Sequence, residues 1–492
     1  MREKSNSLEL WVFSLLLLLT LAPIFLTPQL IGMDSQTHLY NARIILDLLT
    51  DKAWASEAFV LQDFPVPNWT GHAILAFLLY FMDAVWAEKI HLSLLLVSLA
   101  LSFRAFVRPY NLRFPWIATL LSLSLMWSWF VLLGFFNFLW GMVFFLMAMR
   151  LWLKNEDELL KVLGSSLVLG MAMYFSHPTW LMVATLAGGL WWLIRFIHHR
   201  RYLINGMVWA AGLIPSWWML WSFISRQSAS FVEDARLPFS RLWNMLYEIF
   251  PLVVFHGGKE GPWLRMIVLG GILGLISHFL FRQDKNKTRN YLIRWSSILM
   301  LIFLLAFLYF PDVTNTGSFI SSRLMLIAVL FLFLVFGLLA RNSIWSWIGS
   351  LLILVGHFAL VNFYRITYSH YSDDVASVIE WGEKHIPDGS TAVMLNRDIW
   401  FEDNLDKALG YSSNVILLDN FEAWTGYFPV VWREDWSRKG GGLRSYLGDG
   451  ENSLHADYLL VSGSRKDGEV EEWRKLYQLV SRKGKLELYK RE

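Results

Sequence analysis

The chain has 492 residues, 55% of them hydrophobic and only 17% charged, with 27 Trp and 36 Phe. Soluble domains run near about 25% charged and about 45–50% apolar, so this composition excludes an ordinary globular protein and indicates a polytopic membrane protein. A formal net charge of +3 without a basic run in helical or aromatic context gives no argument for a nucleic-acid partner, and none is expected; the lack of cysteine excludes disulfides, thiolate catalysis and Cys-ligated metal.

Charge divides the chain in two. After residue 365 there are 16 Lys and Arg and 22 Asp and Glu in 127 residues, which leaves 45 charges for the first 365. A membrane domain over 1–365 followed by a soluble, mildly acidic domain over 366–492 is expected. The N-terminal "MREKSNSLELWVFSLLLLLTLAPIFLTPQ" has an apolar stretch longer than the about 7–15 residues of a signal-peptide core, and it lacks an A-x-A-like site. An uncleaved first transmembrane helix over roughly 10–30 is therefore expected.

"IGMDSQTHLYNARIILD" follows directly and sets Asp34 and His38 where the first span ends. The i, i+4 spacing puts both on one face of a helix. Apolar Leu39, Ile44, Ile45, Leu48 and Leu49 alternate with Asn41, Arg43 and Asp47, so the helix is amphipathic and suited to a membrane surface. Asp63 lies next, in "LQDFPVPN"; then "WTGHAILAFLLYFM", 69–82, is short for a span and is expected to lie in the outer interface or to re-enter.

Further apolar runs at roughly 89–107, 114–133, 138–153, 162–176, 179–197, 203–223, 263–281, 292–310, 323–340 and 343–363 give about eleven transmembrane helices. The short basic loops "RAFVRPYNLR", "RFIHHRR" and "RQDKNKTRN" are assigned to the cytoplasm. The N-terminus is then inside, and the odd count carries the tail outside, together with long loops over 31–89 and 224–262. Within this frame "GFFNFLWG" reads as a tight helix turn, with Gly134 and Gly141 allowing close packing and Asn137 capping. His177 in "YFSHPTW" closes an outer hairpin, and Arg323 in "GSFISSRLML" stands at the outer mouth of a late helix. Glu233, Asp234, His256 and Glu260 in the second long loop are acids and a histidine that could meet an acceptor.

The tail reads as α/β. "DDVASVIEWGEKHI" puts Val375, Val378 and Ile379 on one helical face; "TAVML", "NVILLD" and "DYLLVSG" are strand candidates, and "KLELYKRE" alternates as an edge strand does. No nucleophile motif or phosphate loop occurs there. Its expected role is acceptor recognition or shielding of a site.

A first helix, an outer loop opening with Asp, an amphipathic helix and a partly buried hairpin together resemble the GT-C glycosyltransferases. These are multi-spanning enzymes that take a sugar from a polyprenyl-phosphate or polyprenyl-diphosphate carrier, among them oligosaccharyltransferases, protein O-mannosyltransferases and aminoarabinose transferases. "MDSQTHL", "FPVPNWTGHAILAFL", "LLGFFNFLWGM", "YFSHPTW" and "GSFISSRLMLIAVL" are similar to uncharacterised prokaryotic members, and the closing "ADYLLVSG" and "LYQLVSRKGKLELYKRE" look like their extracytoplasmic tail domain. The resemblance implies a GT-C-like helical membrane protein of the plasma membrane. It would pass sugar from a polyprenyl-phosphate-linked donor, itself a membrane lipid, to an extracytoplasmic glycan, lipid or protein.

It also implies roles. Asp34, the first acid of the first outer loop, takes the family's general-base position; its alternative is a helix N-cap. His38 could orient Asp34, touch phosphate or ligate a metal, or be an ordinary interfacial residue. Asp63 is the candidate second acid, against a turn-forming role before the prolines. Arg323 takes the place of the arginine that meets carrier phosphate, against simple anchoring, and His177 could line the donor groove, against a plain hairpin tip. Asp34, His38 and Asp63 permit a divalent metal without demanding one. The rival classes are a lipid or polysaccharide transporter, flippase or ligase, and a non-catalytic assembly protein; a transporter favours inverted repeats and mid-helix charges, whereas here no repeat is seen and most charges fall at helix ends or in loops.

Overall fold

A computed structural model describes residues 2–30, 32–111, 114–226, 235–280, 287–314, 318–396, 406–439, 456–462 and 476–492. The chain divides into two compact units. One comprises Met1–Pro23, Ser93–Val131 and Phe138–Ile366; the other comprises Ile24–Leu92, Leu132–Asn137 and Thr367–Glu492.

Among the described residues, ten helices are long and apolar enough to cross a membrane. They are Leu8–Leu26, Ala84–Tyr110, Phe136–Lys154, Leu159–Ser176, Pro178–His198, Tyr202–Ile224, Gly257–Leu280, Thr288–Tyr309, Ile320–Leu339 and Ile344–His385. The run expected to span at 114–133 is broken into Trp116–Ser124 and Trp129–Leu132. Serine explains part of the break. Ser122 and Ser124 donate to the carbonyls of Thr119 and Leu120 at 2.6 and 3.2 Å, and such back-bonding competes with the helical ladder. At the break the Trp127 indole donates to the Thr20 carbonyl at 3.1 Å, which fixes the bend on the first helix.

The first unit is helical and its interior is aromatic. Trp152, Trp180, Trp191 and Trp295 are fully buried, and the Trp295 indole is satisfied by the Ala187 carbonyl at 2.7 Å. Gly141 is required where its helix meets Trp180, because a Cβ there would lie 2.4 Å from the ring. The first helix is held by a buried ion pair: Arg104 Nε and Nη2 donate to Glu9 Oε1 and Oε2 at 3.0 and 2.5 Å, and Thr119 Oγ1 donates to Oε1 at 2.5 Å.

The second unit combines short helices with two sheets. Strand β1 (Phe59–Leu61) pairs antiparallel with β4 (Val430–Trp432). A five-stranded mixed sheet has the order β3-β2-β5-β7-β6, with β2 (Thr391–Asn396) parallel to β3 (Ile416–Leu417) and to β5 (Tyr458–Ser462). β7 (Leu486–Arg491) runs antiparallel to both β5 and β6 (Tyr477–Lys483). The alternating "KLELYKRE" is therefore an inner strand, and the edge belongs to β6, whose outward positions from Gln478 to Val480 are exposed. The helix foreseen from "DDVASVIEWGEKHI" is the last part of Ile344–His385; Val375 and Val378 are buried and Ile379 is half-buried.

The Ser35–Leu49 helix departs most from expectation. Its polar positions are inside as well: Gln36, His38, Asn41 and Asp47 are all buried. Each has a protein partner in place of water. Tyr411 donates to Gln36 at 2.6 Å, Asn41 and Asn420 exchange two amide hydrogen bonds at 3.0 Å, and Trp54 donates to Asp47 at 2.9 Å. A helix amphipathic in sequence thus has two buried faces, one apolar and one hydrogen-bonded.

Candidate functional site

Asp34 stands at the N-cap of the Ser35–Leu49 helix, yet its side chain makes no capping hydrogen bond. Its place is set by backbone. The amides of Met33 and Asp34 donate to the carbonyls of Leu132 and Leu133 at 2.8 and 2.9 Å, and the His38 amide donates to the Asp34 carbonyl at 2.9 Å. Gly134 closes this contact with φ +76, and a Cβ on it would fall 2.3 Å from the Ser35 nitrogen and 2.8 Å from the Asp34 carbonyl carbon. Both conformation and space demand glycine there. Gly134→Ala is expected to cost roughly 1–3 kcal/mol of stability and to displace Asp34; thermal unfolding in detergent would show the loss, and an unchanged midpoint would refute the close contact.

His38, four residues on, turns to two residues that the sequence did not single out. His38 Nδ1 lies 3.2 Å from His72 Nε2 and 2.5 Å from Glu422 Oε1, while His72 Nε2 lies 2.9 Å from Glu422 Oε2. All three are buried, and one ligand atom from each falls within 4.8 Å of the others. His72 comes from the Thr70–Leu79 helix and Glu422 begins the short Glu422–Thr425 helix. Asn137 fastens the start of the His72 helix, accepting from the Gly71 amide at 2.6 Å and donating to the Asn68 carbonyl at 3.0 Å. It serves that helix rather than the turn in "GFFNFLWG". The rings of Phe136 and Phe428 lie 6.0 Å from His38 and form apolar walls. Burial alone would raise the Glu422 carboxyl, whereas positive charge beside it, on His38 and His72 when they are protonated, holds it down at about 2.

Among the described residues this is the group able to hold a metal, and it shares only His38 with the set Asp34, His38 and Asp63 suggested by sequence. Asp63 is exposed and outside it. Of the second-loop candidates, Glu233 and Asp234 lie outside the described residues and His256 is exposed. Glu260 is a cap: its carboxylate accepts from the amides of Val254, Phe255 and His256 at 2.6–2.7 Å, ahead of the helix it belongs to.

The two residues assigned by resemblance to donor phosphate are brought together. His177 sits at the N-cap of Pro178–His198, where its ring accepts from the Thr179 amide at 3.3 Å and packs edge-on against Phe138 at 5.3 Å. The Arg323 guanidinium lies over the same Phe138 ring at 5.7 Å. Burial first, and the Arg323 charge second, push the His177 imidazole well below its ordinary value, so it is neutral. The turn before Arg323 is strained: Phe319 has φ 60, a region that a bulky residue rarely enters. Asp312 holds that turn, its backbone and side-chain oxygens accepting from the amides of Ile320 and Ser321 at 3.0 and 2.9 Å.

Neither His72 nor Glu422 has a local sequence signal for this role. A histidine within the apolar "WTGHAILAFL" was the only hint, and Glu422 is 350 positions from its partner His72. No protein-family model, curated protein or solved structure matches the chain.

Proposed function

We propose that the protein is a multi-pass membrane glycosyltransferase of GT-C type, which moves sugar from a polyprenyl-phosphate-linked donor to an extracytoplasmic acceptor. The observation that carries the reading is the meeting of Arg323 and His177 on Phe138. Two residues assigned separately to carrier phosphate are neighbours, one a fixed cation and the other a neutral imidazole. The local likenesses quoted from the sequence support it, as does Asp34, the first acid after the apolar helix Leu8–Leu26.

In this reading Asp34 accepts the proton from an acceptor hydroxyl or amine. The acceptor oxygen or nitrogen forms its bond to the anomeric carbon on the face opposite the carrier. The bond from that carbon to the phosphate oxygen breaks, and its electron pair leaves with the carrier phosphate. The topology assigned to it has the N-terminus in the cytoplasm and the sheet-bearing tail outside. That orientation counts the broken Trp116–Leu132 stretch as an eleventh crossing beside the ten long helices.

The test is purified protein in detergent with polyprenyl-phosphate-linked sugars, product being followed by mass spectrometry. Donor consumption by the wild type is expected, with Arg323→Lys raising KM for the donor, because Lys keeps the charge and loses the two-pronged contact. A donor that is never consumed, or an Arg323→Lys enzyme with unchanged KM, defeats the proposal. Movement of intact lipid-linked sugar across vesicles would instead favour a flippase.

A further inference from the structure

We propose that His38, His72 and Glu422 form a binding site for one divalent transition-metal ion of the zinc class, held by two imidazoles and a carboxylate. The inference does not rest on the sugar-transfer reading. It follows from where the protons and lone pairs must be.

His72 Nδ1 lies 2.9 Å from the Asn68 carbonyl, a pure acceptor, so the proton of the neutral ring is on Nδ1. Nε2 then presents a lone pair. That lone pair faces the Glu422 Oε2 carboxylate oxygen at 2.9 Å and His38 Nδ1 at 3.2 Å. A bare nitrogen lone pair against a buried carboxylate oxygen is repulsive. Glu422 Oε1, with its side chain fully buried, repeats the problem: it sits 2.5 Å from His38 Nδ1 but in no aligned hydrogen bond. One proton on His38 cannot serve both His72 and Glu422.

A cation at the centre satisfies both ring nitrogens and the carboxylate at once. Bonds of about 2.0–2.1 Å in a tetrahedron place ligand atoms about 3.3 Å apart; the two ring nitrogens already stand 3.2 Å apart, and the carboxylate, whose Oε1 is 2.5 Å from His38 Nδ1 and Oε2 2.9 Å from His72 Nε2, needs only to draw back. The Nδ1–H of His72 on a backbone carbonyl is the support that a metal-bound imidazole receives, fixing tautomer and ring angle. Two nitrogens and one oxygen disfavour magnesium and calcium, which take all-oxygen shells, and suit zinc. Three protein ligands leave a fourth position for water or another small ligand. The ion would also tie the Glu422 segment to the two helices that carry the histidines.

The alternative without metal is a protonated His72 sharing Glu422 with His38, and the two are separable. Full-length protein purified in detergent is stripped with chelator, reloaded with zinc and assayed by elemental analysis and thermal unfolding. One zinc per chain is expected, with a midpoint that falls on stripping and returns with zinc but not with magnesium. Cobalt loading should give the intense visible bands of a four-coordinate site, and azide should shift them. His72→Ala and Glu422→Gln should lose both metal and bands, whereas Asp34→Asn and Asp63→Asn keep them. Wild-type protein that holds no more zinc than Glu422→Gln, or is stabilised equally by magnesium, overturns the proposal. The wild-type stripping measurement decides the matter even if a variant fails to fold.

Discussion

Replacing Asp34 by Asn is expected to cut sugar transfer by about 10²–10⁴-fold, the usual effect of removing a general base, while leaving folding and insertion intact. Asn keeps the shape of the side chain and is itself a good N-cap. The structure sharpens the comparison, because the Asp34 side chain makes no capping hydrogen bond. The helix start is instead held by the backbone of residues 132–134, which the substitution does not touch. A true cap would instead lose about 0.5–2 kcal/mol on Asp34→Ala. Product yield and thermal midpoint, measured on both variants, separate the roles. A fully active Asn variant would remove Asp34 as the base.

The largest effect on stability is expected at Glu9. Glu9 is 1% exposed and Arg104 8%, and Glu9 also takes the Thr119 hydroxyl and lies 3.6 Å from Arg108. Glu9→Leu leaves a buried guanidinium without its carboxylate, and breaking such a pair typically costs about 3–5 kcal/mol. The double variant Glu9→Leu/Arg104→Leu should recover much of that loss, since desolvating the ions offsets most of their attraction. Unfolding of both single variants and the double in detergent completes the cycle. A double variant as unstable as the sum of the singles would show that packing, not the ion pair, sets the effect.

The correspondence between sequence and structure is uneven in an instructive way. The strands β2 and β5, and the helix carrying Val375 and Val378, lie where short apolar runs and helical spacing put them, since these are local patterns. The edge strand was misassigned because edge or centre depends on which strand pairs with which, and β6 bonds to β7 through contacts that alternation does not encode. The broken Trp116–Leu132 stretch has a similar cause. Apolar length alone reads as a span, but the bend is fixed by Trp127 reaching the Thr20 carbonyl, 107 positions away.

The sequence by itself determined the helical class of the protein, because long runs without charge must be buried in lipid or protein, whereas the tail shares its compact unit with Ile24–Leu92 and Leu132–Asn137. It set Asp34 one helical turn ahead of His38, because helical spacing is local, and it picked out Arg323 and His177 as separate residues. Only the tertiary structure decided what each side chain meets. It turned His38 toward His72 and Glu422, set Arg323 beside His177, left Asp63 exposed and made Glu260 a cap. The physical reason is that a buried polar atom must find its partner wherever the fold supplies one. For His38 that partner is a glutamate in the tail, which no local pattern joins to it.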